Sequence, residues 1–148
     1  MSITKGLFTS NSAEWATPKA FFEELDKKYN FDLDPCATKE NAKCKRYFTK
    51  AENGLAQDWG GCNVFCNPPY GRTIASWVEK CWSESLKPNT VVVALLPART
   101  DTKWFHEYIY KKAEIVFLRG RLKFGDGKNS APFPSMLAIW KTDRKERQ

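Results

Sequence analysis

Asn63-Val64-Phe65-Cys66-Asn67-Pro68-Pro69-Tyr70-Gly71 is the stretch on which the reading of this chain turns. Its first four residues read as a short buried strand. The two prolines can neither donate to a sheet ladder nor continue as helix, so the chain leaves the sheet there in a rigid loop. Outward from this point, Val91 to Leu96 reads as a central parallel strand stopped by Pro97, and Phe31 to Asp34 as a strand stopped by Pro35. Arg46 to Thr49, Ile115 to Leu118 and Met136 to Trp140 supply three more. Between them stand helical spacings. Thr17 as N-cap and Pro18 in the first turn open a helix with Phe21, Phe22, Leu25 and Tyr29 on one face, ending near Asn30. Ile74, Trp77, Val78, Cys81 and Trp82 mark a second, and Trp104, Phe105, Tyr108 and Ile109 a third.

Strands alternating with helices predict an α/β domain with a mostly parallel, doubly wound sheet, whose ligands bind beyond the carboxyl ends of the strands. Both Asp34-Pro35 and Asn67 to Tyr70 stand at such ends. One domain over residues 1–148 is expected, with an ordered core of about residues 13–141. The last two strands are expected as a C-terminal β-hairpin, although the stretch with Gly125, Gly127, Pro132 and Pro134 is long for a hairpin loop. The first dozen residues are polar and small, and Lys141 to Gln148 reads as a charged, solvated tail.

The balance of 24 Lys and Arg against 17 Asp and Glu gives a net charge of +7, which favours a polyanionic partner. Five cysteines form no paired framework, and no apolar run is long enough for a signal segment or a membrane span. A reduced, cytoplasmic protein is expected, with no membrane partner. Cys36, Cys44, Cys62, Cys66 and the lone His106 lack the short spacing of zinc sites, so no metal is expected. His106, among polar positions of its helix, reads as a surface residue rather than a general base.

An Asn-Pro-Pro-Tyr loop at a strand end suits one chemical task, activation of an amino group on an aromatic ring. The lone pair of that nitrogen is delocalised and weakly nucleophilic. The Asn67 side-chain carbonyl and the Pro68 backbone carbonyl form an acceptor pair for both amino hydrogens, favouring a more tetrahedral nitrogen, and the prolines hold the acceptors in place. Tyr70 offers a flat face for an extruded base. On four residues alone, the same prolines also make a plain rigid turn.

This motif resembles that of the amino methyltransferases dependent on S-adenosyl-methionine, and within them the adenine-N6 DNA methyltransferases of phage type, the Dam family. The resemblance runs from Trp15 to Trp140, and Asn67 to Gly71 is its most specific part. It implies a Rossmann-like methyltransferase fold, S-adenosyl-methionine as methyl donor, and DNA with a flipped adenine as substrate. It also implies a bacterial or phage-infected host cytoplasm. Trp15, Thr17 and Pro18 resemble the N-terminal cofactor motif, where a helix N-terminus meets the methionine carboxylate. Leu33-Asp34-Pro35-Cys36-Ala37 resembles the first-strand cofactor motif without its usual glycines, and Asp34-Pro35 alone reads equally as a strand exit. Asp58-Trp59 resembles the motif whose carboxylate accepts from the cofactor adenine; alone it is a turn or helix cap. No acidic residue stands at a second strand end for the ribose hydroxyls, and Glu52 is the nearest candidate.

Gly120 to Phe124 and Ala131 to Ser135 resemble a late region of the phage-type enzymes in which an aromatic residue packs on the flipped base. Phe124 is the candidate here, and equally a core residue on a strand. Arg72, Arg99, Lys103 and Arg121 are the candidate DNA contacts. With no separate target-recognition domain, only loops such as Lys39 to Arg46 and Gly125 to Ser135 are available to read bases, so short or relaxed specificity is expected. The alternatives are methylation of an RNA base or a protein glutamine, and a non-catalytic DNA-binding relative. Nothing in the sequence sets the oligomeric state.

Overall fold

The computed structural model describes residues 15–125 and 130–141. The expected core start at 13, Gly127 and the charged tail beyond Lys141 lie outside the described residues. Six strands form one sheet: β1 (Leu33–Asp34), β2 (Arg46–Tyr47), β3 (Asn63–Cys66), β4 (Val91–Pro97), β5 (Glu114–Phe117) and β6 (Ser135–Lys141). Their order is β2-β1-β3-β4-β6-β5. The β2, β1, β3 and β4 neighbours are parallel, while β6 is antiparallel to both β4 and β5. The fold is therefore mixed α/β with a mostly parallel sheet. β5 and β6 pair antiparallel, but residues 118–134 lie between them, so no tight hairpin turn joins them.

Two long helices are present among the described residues, α1 (Lys19–Tyr29) and α2 (Ile74–Ser85). The side chains of β3 place them. Neighbouring residues of a strand point to opposite faces. Phe65 meets Phe22 of α1 with ring centroids 5.1 Å apart, whereas Cys66 lies beside Cys81 of α2. The sheet thus lies between the helices, which explains why β4 and β6 are apolar and buried almost throughout. α1 stops at Asn30, whose left-handed backbone (φ 52°) lets its N–H donate to the Asp26 carbonyl. The third expected helix is a π-helical turn, Phe105–Ile109, with Phe105 and Ile109 buried.

One sequence expectation is corrected at the start of α1. Thr17 does not cap the helix: Pro18, in extended backbone (ψ 137°), is the cap residue, and no side chain caps it. The Thr17 hydroxyl is engaged elsewhere.

The strand order reverses at β1, with β2 on one side and β3 on the other. Chains leaving the carboxyl ends of β1 and β3 therefore separate and open a crevice. Because β5 runs with β4, the ends of β3, β4 and β5 all lie on this same edge of the sheet.

Candidate active site

A cavity of about 680 Å³ fills that crevice. Trp15, Thr17, Asp34, Pro35, Asn67 and Pro68 all reach its wall. Five separate stretches of sequence close it, because the loop running on from Pro35 to Lys43, residues between Thr49 and Leu55, and Thr73 with Trp77 of the α2 region complete the lining.

Asp34 ends β1 with its carboxylate buried and turned toward its own loop. Oδ1 accepts from the Cys36 N–H (3.3 Å) and Oδ2 from the Lys43 N–H (3.0 Å). Burial pushes its carboxyl up to about 6, against the opposing pull of those two N–H groups and the Lys43 charge. The residue shapes the loop that walls the cavity.

The adjoining wall is a 3₁₀ turn, Gly54–Ala56, entered through Asn53 in left-handed backbone (φ 58°), whose Oδ1 accepts from Leu55 N–H. Gly54 lies so close to the β1 loop that a Cβ there would stand 2.0 Å from the Pro35 carbonyl oxygen. Sequence reasoning missed this turn, although Asn-Gly was a usable signal. Behind it, the Trp59 indole donates to the Gly54 carbonyl (2.9 Å), and the Trp59 N–H donates to Glu84 Oε1 of α2 (2.6 Å). Burial raises the Glu84 carboxyl, but Lys87, Trp59 N–H and Lys80 together hold it below its ordinary value.

This arrangement sets Asp58-Trp59 apart from the cavity lining. Asp58 is exposed, with its carboxylate taken by Lys87 Nζ (2.8 Å) and Gly60 N–H (2.8 Å), and it does not line the cavity. Hydration and the Lys87 charge stabilise it outside. Trp59 is fully buried behind the wall rather than on it. Glu52 is likewise exposed, closing its own turn through Thr49 N–H and Oγ1 (2.7 Å each), and does not line the cavity. Pro18 also stays outside the lining.

The Asn67 amide has a more constrained setting. Nδ2 donates to the Trp15 carbonyl and to Thr17 Oγ1 (2.9 Å), while Oδ1 is buried with no hydrogen-bond partner. Unpaired buried acceptors are rare, and each calls for a reason. Pro68 and Pro69 follow along the same wall.

Tyr70 points away from the cavity. Its hydroxyl donates to the Leu95 carbonyl (2.8 Å), and burial holds it well above the ordinary phenol range. Its ring meets Phe133 edge-on (5.5 Å) and Phe124 edge-on (6.4 Å), and both phenylalanines meet Trp15. Tyr70, Phe124, Phe133 and Trp15 thus form one aromatic cluster, which meets the cavity at Trp15. Phe124, the sequence's candidate for packing on a base or in the core, is buried here beside Tyr70, while Phe133 was missed because its flanking prolines read as a loop.

Arg72, Arg99, Lys103 and Arg121 are exposed, in the chain beyond the carboxyl ends of β3, β4 and β5. Arg121 Nη1 also donates to the Ala131 carbonyl (3.4 Å). His106 is exposed, with Nε2 at 2.8 Å from the Thr100 carbonyl oxygen, away from the cavity. No cluster of metal-binding side chains occurs among the described residues, and no helix there is long and apolar enough to cross a membrane.

Comparison with known proteins adds identity to this geometry. A family model described as DNA N-6-adenine-methyltransferase (Dam) matches residues 6–148. A DNA N-6-adenine-methyltransferase of Haemophilus phage HP1 (strain HP1c1) is 34% identical over 134 residues, covering 85% of this chain and 77% of that protein. A protein of the same name from Escherichia phage T1 is 34% identical over 110 residues, covering 73% of this chain and 45% of the longer T1 protein. A family model spanning nearly all of the sequence, joined by a relative that aligns over most of both chains, places this chain in the DNA N-6-adenine-methyltransferase (Dam) family.

Proposed function

We propose that this chain transfers a methyl group from S-adenosyl-methionine to the N6 amino group of adenine in DNA, on a Rossmann-like methyltransferase fold. The observation that carries the reading is the buried, unpartnered Oδ1 of Asn67 beside the cavity. An acceptor kept free at the cost of its own hydrogen bond suits a ligand that brings a donor, and an exocyclic amino group brings two N–H bonds.

The cavity fits the cofactor in size, since small-molecule sites run from about 300 to 1,000 Å³. Pro35 to Ala37 and Asn53 to Leu55 would hold it from two adjoining segments of the wall, and the N-terminus of α1 beside Thr17 suits a carboxylate. When bound, S-adenosyl-methionine supplies an electrophilic methyl group on a sulfonium leaving group. The protein's part is positional. Asn67 Oδ1 and the Pro68 carbonyl accept from the amino group and raise the nucleophilicity of its nitrogen. Tyr70 with Phe124 provides aromatic surface for the adenine ring, and Arg72, Arg99, Lys103 and Arg121 hold phosphates around it. The amino proton leaves to solvent after transfer, so no general base is required and exposed His106 takes no part.

The test is a transfer assay with labelled S-adenosyl-methionine and unmethylated DNA, with the product digested to nucleosides. N6-methyladenine is expected from the wild type, falling about 100-fold or more in Asn67→Ala. Label absent from DNA despite cofactor binding would redirect the reading to RNA or protein glutamine. Absence of cofactor binding would overturn the enzyme itself.

A further inference from the structure

A primary amide can be turned by 180° about its last bond, exchanging oxygen for nitrogen. An asparagine asked to accept from a substrate amino group works in only one of the two orientations, because the other presents donors to donors. Something in this protein has to choose.

The segment Trp15 to Thr17 makes the choice. Asn67 Nδ2 faces the Trp15 carbonyl, which has no proton to give, so the atom opposite it must be a donor. Thr17 Oγ1 at 2.9 Å takes the second amide hydrogen, and Thr17 is itself 6% exposed. A turned amide would set Oδ1 against the Trp15 carbonyl oxygen. The chosen orientation leaves Oδ1 buried without a partner, the cost being borne at the one atom a substrate donor would satisfy. The segment is fastened from the other side too. Gly125 N–H donates to the Ala16 carbonyl (2.9 Å), and the Trp15 indole packs edge-on against Phe124 (5.6 Å) and Phe133 (5.2 Å).

We propose that Trp15 to Thr17 is a strap that fixes the Asn67 amide with its oxygen free, and that Thr17 is a positioning residue for methyl transfer acting through Asn67. The role of the freed oxygen rests on the proposed adenine chemistry; the strap itself does not.

The experiment compares wild type, Thr17→Val, Thr17→Ser and Thr17→Val in an Asn67→Ala background. Valine keeps the shape of threonine and removes the acceptor. Thr17→Val is expected to lower kcat about 10-fold, the scale of one lost hydrogen bond, with cofactor Kd by equilibrium titration changed less than about twofold. Thr17→Ser should restore most of the rate, and Thr17→Val should cost nothing further once Asn67 is alanine. Additive losses, or a loss appearing as weaker cofactor binding, would overturn the proposal. A second readout needs no turnover. In ¹⁵N-labelled protein the two Asn67 Nδ2 protons should exchange more slowly than those of exposed Asn41, and faster in Thr17→Val. Exchange at the Asn41 rate in the wild type would refute the strap whatever the substrate, whereas inactivity on DNA with protected protons would refute only the adenine reading.

Discussion

Asp34 shows what one side chain contributes to such a site through its own loop. Its carboxyl, buried at the end of β1, ties Cys36 and Lys43 into the cavity wall. The raised value of about 6 against an ordinary 3.8 has a definite sign. The folded protein holds the proton more tightly than the unfolded chain, so the stabilising contribution is full below about pH 4 and is lost as pH rises through about 6. The loss amounts to about 3 kcal/mol. Urea denaturation from about pH 4 to pH 7 should show that decline in the wild type and a flatter profile in Asp34→Asn; identical profiles would refute it. The sequence located Asp34 at a strand end, but not its two backbone partners, which depend on a loop path that spacing does not encode. Asn67 was legible as an acceptor from its prolines. The partners of its amide, fifty and more positions upstream, were not.

At the level of elements, the 3₁₀ turn Gly54–Ala56 is the cavity wall most exposed to mutation. A Cβ at residue 54 meets backbone at 2.0 Å, and backbone cannot swing aside as a flexible side chain can. Gly54→Ala is expected to cost about 1–3 kcal/mol in chemical denaturation and to weaken cofactor binding measured by calorimetry. The turn is held from behind through Trp59 and Glu84, so Glu84→Ala, which strands Trp59 N–H and the Lys80 charge, should cost about 3–5 kcal/mol by the same denaturation measurement. Glu84 was invisible in the sequence because an acid in a helix beside lysines reads as a solvated pair; only the fold buries it. Strands β3 and β4 were legible to within a residue or so, because continuous apolar runs ended by proline have few other readings. The expected N-cap at Thr17 failed for a local reason: its hydroxyl has a better partner in Asn67.

For the molecule as a whole, charge and topology work on the same edge of the sheet. Arg72, Arg99, Lys103 and Arg121 come from three separate connections, yet all leave the sheet at the edge where Asn67 stands. If these four meet phosphates, DNA affinity should fall with salt at a log–log slope of about −3 to −4, while cofactor affinity stays nearly flat. A titration of both ligands across a range of salt concentrations would check this, and equal slopes would count against the assignment. Basic composition indicated a polyanion, but its gathering on one edge follows from strand direction. Trp15 has a practical consequence of its own. Its indole reaches the cavity on one side and two phenylalanine rings on the other, so the protein carries an optical reporter where cofactor and base are proposed to meet. Ligand entry on either side changes the environment of that ring, and therefore its emission, in a signal that Trp15→Phe should lower and that Trp77, the second tryptophan on the cavity wall, should share.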